Sequence, residues 1–215
     1  MAVLRWLFKN FGNPSHIVIT GCSAGGSILP IAYDLIRKHY SEIGKRKVQI
    51  GIIGDSPVFL TPDYFLENGL GNWNPETLMN RTGFNFKKWR YSDDYSTRVW
   101  DHILKRGNKK DQWGVVTHRK DRISNDYFQW MSGKGIGNQH HRKLNSSNMN
   151  TSDPENEWFI ELSSSFRKIQ KQHKNVATYF IESEGHCSFG LYYAMLEESF
   201  QEWANSIVKL QKVKL

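Results

Sequence analysis

The chain predicts a three-layer α/β protein with a mostly parallel sheet flanked by helices. Three observations carry that expectation. Short apolar runs recur at 16–20, 48–54, 112–117 and 176–181, as strands covered on both faces require. Helical patterns separate them, the arrangement that places helices on the faces of a parallel sheet. Ser23, Asp55, Asp121 and His186 each fall just after one of these runs, where ligands collect in such sheets.

The elements follow in order. Leu4, Leu7, Phe8 and Phe11 have helical spacing and predict a helix near 2–11. A strand at 16–20 leads into Gly21-Cys22-Ser23-Ala24-Gly25-Gly26. A helix over about 25–40 then presents Ile28, Ile31, Ala32 and Ile36 on one face, with Pro30 in its first turns, where a proline costs little. The second strand ends at Asp55. The third leads into His118-Arg119-Lys120-Asp121, and the fourth runs through Glu182 to Gly185-His186. Tyr192, Leu196, Phe200, Trp203, Ile207 and Leu210 make the stripe of a closing helix. Two segments break the alternation. Residues 56–110, rich in aromatics and Asn, read either as a cap or substrate wall or as a locally packed helical excursion. Residues 131–156 are polar, carry Gly133, Gly135 and Gly137, and read as a long mobile loop. Residues 1–215 otherwise form one domain, with no internal repeat and no linker.

Composition narrows the function classes. The chain has 215 residues, enough for one well-buried domain. Net charge is +8, from 29 basic and 21 acidic residues. That balance favours anionic partners. The basic groups at 45–47, 87–90 and 105–110 are scattered between elements, with no DNA- or RNA-binding motif, so no nucleic-acid partner is expected. Mean hydropathy is −0.60 and no stretch is apolar enough to span a membrane. Met1 to Phe11 is no secretion signal, because Arg5 and Lys9 interrupt its apolar positions. The expectation is an intracellular protein or a chain whose true N-terminus lies further upstream. Asn80-Arg81-Thr82, Asn145-Ser146-Ser147 and Asn150-Thr151-Ser152 match the glycosylation pattern, a weak argument in an Asn-rich chain. Cys22 and Cys187 give no disulfide framework. Both flank candidate catalytic residues, so a bridge is open, but separate buried thiols are the expectation.

Residues 20–26 have the form of a serine nucleophile elbow. A sharp strand-to-helix turn lifts the Ser23 hydroxyl over the sheet edge, and small residues two before and two after it, Gly21 and Gly25, avoid a Cβ clash. The Ala24 N–H would face an oxygen bound beside Ser23 as an oxyanion donor. The bland alternative is a tight Gly-rich turn with an inert serine. A hydroxyl needs a base, and the base a carboxylate that fixes its tautomer. His186, flanked by Gly185 and Cys187 after the last strand, is the candidate base. Asp121 and Asp55 compete for the acid. Hydrolases with the order serine, acid, histidine usually place the acid after the later strand, which favours Asp121, and Asp55 would then cap a helix or hold the strand end. His140-His141 find no third ligand at useful spacing, so no metal is expected. Gly133-Lys134-Gly135-Ile136-Gly137 lacks the strand and helix of a phosphate loop. No cofactor is expected.

The run Thr20-Gly21-Cys22-Ser23-Ala24-Gly25-Gly26, with Gly54-Asp55-Ser56-Pro57-Val58-Phe59-Leu60, resembles the pectin acetylesterase and Notum family of serine carboxylesterases. The strand at 112–121 and Ser183-Glu184-Gly185-His186-Cys187 look like the pieces carrying that family's acid and base. The resemblance implies Ser23 as nucleophile, Asp121 as acid, His186 as base, and Asp55 outside the triad. It implies hydrolysis of acetyl or other short acyl esters, on an acylated polysaccharide or a small ester, in a secreted protein. Pro57 departs from the family's pattern, and the many cysteines of plant members are absent. Family members also carry several strands and a Gly-rich oxyanion loop upstream of the elbow. Here only one helix precedes the elbow strand, so the expectation is an N-terminally truncated α/β-hydrolase, completed by a missing segment or chain. Two rivals stand beside it: a non-catalytic binding or interaction protein that keeps these residues as relics, and an esterase of lipid acyl chains.

Overall fold

A computed structural model describes residues 2–12, 14–44, 47–69, 75–89, 92, 94–133, 157–190 and 198–209. Strands β1 (His16–Cys22), β2 (Gln49–Asp55), β3 (Gln112–His118) and β4 (Val176–Ile181) form one parallel sheet in that order. Each coincides with an apolar run read from the sequence. Cys22 stands opposite Asp55 and His118 opposite Ile181, so neighbouring strands finish in step along one rim.

Successive side chains of a strand point to opposite faces, and both faces of the two middle strands are covered. On one, Ile50, Ile52, Trp113 and Val115 pack against α3 (Leu29–Glu42), α7 (Tyr95–Arg106) and α9 (Glu157–Gln172). On the other, Ile53, Val116, Ala177 and Ile181 receive Phe200, Trp203 and Ile207 of α10 (Glu198–Val208). Gly114 admits α10 closely, since a Cβ there would stand 2.9 Å from the Trp203 ring. The architecture is therefore a three-layer α/β fold. Of the stripe expected on the closing helix, Phe200, Trp203 and Ile207 are buried, while Tyr192, Leu196 and Leu210 lie outside the described residues.

The helix expected as one piece over 25–40 is two, α2 (Ala24–Ser27) and α3, separated at Ile28. Pro30 explains the break, because it has no N–H to continue the ladder at that point. Within 56–110 lie α4 (Asp63–Asn68), α5 (Glu76–Arg81), α6 (Phe86–Trp89) and α7. Phe65, Leu66, Met79, Phe84, Phe86, Tyr95 and Val99 form a second apolar cluster there with Ile31 and Met131. A further helix, α8 (Arg122–Met131), follows Asp121. The loop expected over 131–156 falls outside the described residues beyond Gly133.

The two sides of the sheet differ. β1 is an edge strand whose residues alternate between exposed and half-buried. Ile17 and Ile19 pack on the α3 side, while Val18, on the face that α10 covers elsewhere, is 46% exposed. Helix α1 (Ala2–Asn10) has no buried residue and leans on α3 by stacking Phe8 on His39. At the amino ends of the strands Asp111 is fully buried. It accepts hydrogen bonds from Arg37 Nη2 (2.6 Å to Oδ1), the Tyr33 hydroxyl (2.7 Å) and the Ile50 N–H (2.9 Å). Burial pushes its carboxyl above the usual range, against the pull of Tyr33 and Arg37.

Candidate active site

Ser23 sits between β1 and α2 with φ 52° and ψ −122°, a strained conformation for a residue with a Cβ. Its N–H donates to the Asp55 carbonyl at 2.8 Å, and its own carbonyl accepts the N–H groups of Gly26 and Ser27 at 2.9 and 3.1 Å. Those bonds turn the chain straight from strand into helix. Ala24, the first residue of α2, follows directly.

The expected pair of small residues is corrected by this geometry. A Cβ at Gly21 would stand 2.4 Å from the Gly25 carbonyl oxygen, so Gly21 is required. A Cβ at Gly25 would meet nothing within 4 Å. The second constrained position is Gly26, where a Cβ would be 2.9 Å from the Gly21 oxygen and 3.1 Å from Pro57 Cβ. The spacing pattern names Gly25 because it counts along the chain; the crowding comes from β1 and Pro57 across the turn.

His186 Nδ1 lies 2.8 Å from Asp121 Oδ2. Asp121 caps α8, accepting the Ser124 N–H at 2.9 Å and the Ser124 hydroxyl at 2.8 Å, and is wholly buried. A carboxylate already accepting two bonds takes a third from the imidazole, so Nδ1 carries the proton and Nε2 keeps its lone pair. The His186 side chain is 15% exposed, which leaves a path to solvent.

Asp55, the other candidate acid, does not touch His186. Its Oδ1 and Oδ2 accept the N–H groups of Ser188 and Phe189, each at 2.8 Å. These are the first donors of a single 3-10 turn, Ser188–Gly190. Asp55 thus holds the loop that carries His186, as a capping carboxylate does.

The cysteines depart from expectation. Cys22 and Cys187 form a disulfide across 165 residues, with Cα atoms 5.6 Å apart. It ties the residue before Ser23 to the residue after His186, and two separate thiols are ruled out. Among the described residues, Cys22, His186 and Cys187 are also the group whose donor atoms could meet on a metal, lying within 4.8 Å of one another. His140 and His141 lie outside the described residues.

Sequence reasoning missed two members of the rim. Ser56, at φ 45° and fully buried, accepts the Cys187 N–H at 3.1 Å. His118, also buried, bridges Ser183 Oγ (2.5 Å from Nδ1) and Ser188 Oγ (3.1 Å from Nε2). Its place at the end of the third strand could have marked it. Strands β2 and β3 together clamp the segment 183–189 from both ends.

Of the described aromatics of 56–110, Phe65, Phe84, Phe86 and Tyr95 are buried in their own cluster, while Phe59 lines a cavity. That cavity, of about 800 Å³, is lined by Phe59, Leu60, Asp63, Phe128, Glu161 and Lys168 among others, with neither Ser23 nor His186 on its wall.

No family model matches the chain, and no curated protein matches it. Among solved structures, an esterase of Pyrococcus furiosus matches 96% of this chain at 15% identity and a TM-score of 0.40. The match spans 57% of that esterase's length.

Proposed function

We propose that the protein is a serine ester hydrolase acting through an acyl-enzyme. One observation carries the reading: a serine at a strained strand-to-helix turn is covalently tethered, through Cys22–Cys187, to the segment holding a carboxylate-oriented imidazole. Ser23 attacks the ester carbonyl while His186 Nε2 takes its proton. The imidazolium is stabilised by Asp121, and the Ala24 N–H receives the developing oxyanion. His186 then protonates the leaving alcohol. Water repeats the sequence on the acyl-enzyme and frees the acid.

The sequence resemblance favours acetyl or other short acyl groups on a polysaccharide such as pectin. The net charge of +8 fits a polyuronate chain. The lipid-acyl alternative is less favoured, because Phe65, Phe84, Phe86 and Tyr95 pack against one another.

A fluorophosphonate probe tests the mechanism. We expect stoichiometric labelling that disappears in Ser23→Ala; a folded wild-type protein that stays unlabelled would leave the relic reading in possession. Ionic strength tests the substrate. Deacetylation of pectin should weaken as salt screens the attraction, while turnover of a neutral small ester should not. Equal salt dependence for both would remove the polyuronate idea.

A further inference from the structure

Two sulfurs and an imidazole meet at the rim. Cys22 Sγ, Cys187 Sγ and a ring nitrogen of His186 lie within 4.8 Å of one another. While the sulfurs are bonded to each other, neither is a thiolate ligand. Reduction changes the donor set. A dithiol reductant delivers two electrons and two protons; the S–S bond breaks, Cys22 and Cys187 become thiols, and the reductant leaves as its own disulfide.

The geometry points to a zinc site created by that reduction, with Cys22, Cys187 and His186 as its protein ligands. Three observations support it. First, the ligands stay together without the bridge. Asp55 holds the N–H groups of Ser188 and Phe189, Ser56 holds that of Cys187, and Asp121 holds the His186 ring. Cys22 is fixed by its pairing opposite Asp55. Second, two thiolates and an imidazole with a fourth position open suit tetrahedral zinc. A buried carboxylate on the far ring nitrogen is the usual orienting partner of a metal-bound histidine, and here it leaves Nε2 to coordinate. Third, the site is accessible. Cys22 is exposed, and His186 and Cys187 are half-buried. Binding releases the two thiol protons to solvent.

The regulatory consequence rests on the esterase reading. A metal on Nε2 occupies the lone pair that would take the Ser23 proton. The oxidised protein is then active, and the reduced, zinc-loaded protein is silent. A reducing compartment with available zinc would hold it off. Exchange with a disulfide oxidant, which takes the two electrons and leaves as its dithiol, would re-form the bridge, expel the metal and switch it on.

Cobalt(II) reports the site directly. The protein is reduced with a dithiol, freed of reductant under inert gas, checked by circular dichroism, and titrated with cobalt. We expect one equivalent bound, with thiolate-to-cobalt charge-transfer absorption that zinc displaces. Oxidised protein and reduced Cys187→Ser should show none, and reduced His186→Ala should bind at least tenfold more weakly. A reduced, folded protein that takes up no cobalt overturns the proposal. So does uptake unchanged in Cys187→Ser. Unfolding on reduction overturns it too, because the site requires the loop to hold without the bridge. Silencing has its own readout: fluorophosphonate labelling of reduced protein should vanish at one equivalent of zinc and return with a chelator. Labelling that persists with zinc bound removes the switch. An oxidised protein that never labels refutes the esterase reading, while the cobalt titration still decides the metal site.

Discussion

Two wholly buried aspartates stand at opposite ends of β3, Asp111 just before the strand and Asp121 just after it. Chemically they are the same group with several hydrogen bonds each. Their partners separate them. Asp111 faces a guanidinium, a phenol and a backbone N–H, all buried and none able to move a proton near neutral pH. Asp121 faces Ser124 and a half-open imidazole. Burial and bonding alone therefore do not separate the two carboxylates. What separates them is that the imidazole partner of Asp121 reaches solvent, which is why the proposed mechanism uses Asp121.

Asp121→Asn tests that distinction with the largest expected effect. The amide still accepts the Ser124 N–H, so the α8 cap and the fold should survive. Its NH2 group, however, donates where the carboxylate accepts, and would turn His186 to the tautomer with no lone pair for Ser23. By analogy with triad enzymes, kcat should fall by about 10⁴-fold. Unchanged turnover in a folded variant would reduce Asp121 to a helix cap. Asp111→Ala should do the reverse. It strands Arg37 as a buried unpaired cation and costs about 3–5 kcal/mol of stability. The fraction that stays folded should keep wild-type kcat. Urea melts set beside specific activity per folded molecule separate the two ends.

Much of this contrast was open to sequence reasoning, though not the part that decides it. The four strands are visible because buried parallel strands are nearly continuous apolar runs, as Ile50, Ile52 and Ile53 illustrate. Ser23, Asp121 and His186 are visible because each follows such a run. Asp111 is not, because the residue that gives it meaning, Arg37, lies 74 positions away. The Cys22–Cys187 bridge is hidden for the same reason, across 165 positions. Helices α4, α5 and α6 escape notice because runs of 6, 6 and 4 residues are too short to show a period. Helix α9 was not read from the sequence, although Trp158, Phe159, Leu162, Phe166 and Ile169 keep helical spacing and are buried.

Asp55 sharpens the comparison at intermediate size. It is a third buried carboxylate, on the same rim as Asp121, yet its side-chain bonds go to backbone. Asp55→Ala leaves two N–H groups without acceptors and loosens the segment that carries His186, at about 1–3 kcal/mol per orphaned donor. As a positioning residue it should lower kcat by about 10²-fold. Asp55→Asn, which keeps one acceptor oxygen, should recover part of the loss. A variant with full activity would show that Ser56, His118 and the disulfide suffice to hold the loop.

The smallest effect concerns the elbow, where the proposed nucleophile Ser23 rests on an edge strand rather than on the clamped interior. Gly25 is exposed with open space around its Cβ direction, so Gly25→Ala should be neutral or stabilise by up to about 1 kcal/mol through helix propensity. Gly26→Ala forces a methyl to within 2.9 Å of the Gly21 oxygen and against Pro57. Both contacts are backbone or ring atoms that cannot swing aside, so the turn itself must open, at about 1–3 kcal/mol. Because Ser23 is held by that turn and, through its N–H, by Asp55, the strain should pass to the hydroxyl and appear as a lower rate of fluorophosphonate labelling. Equal labelling rates in the two alanine variants would mean that the elbow yields more easily than its contacts imply.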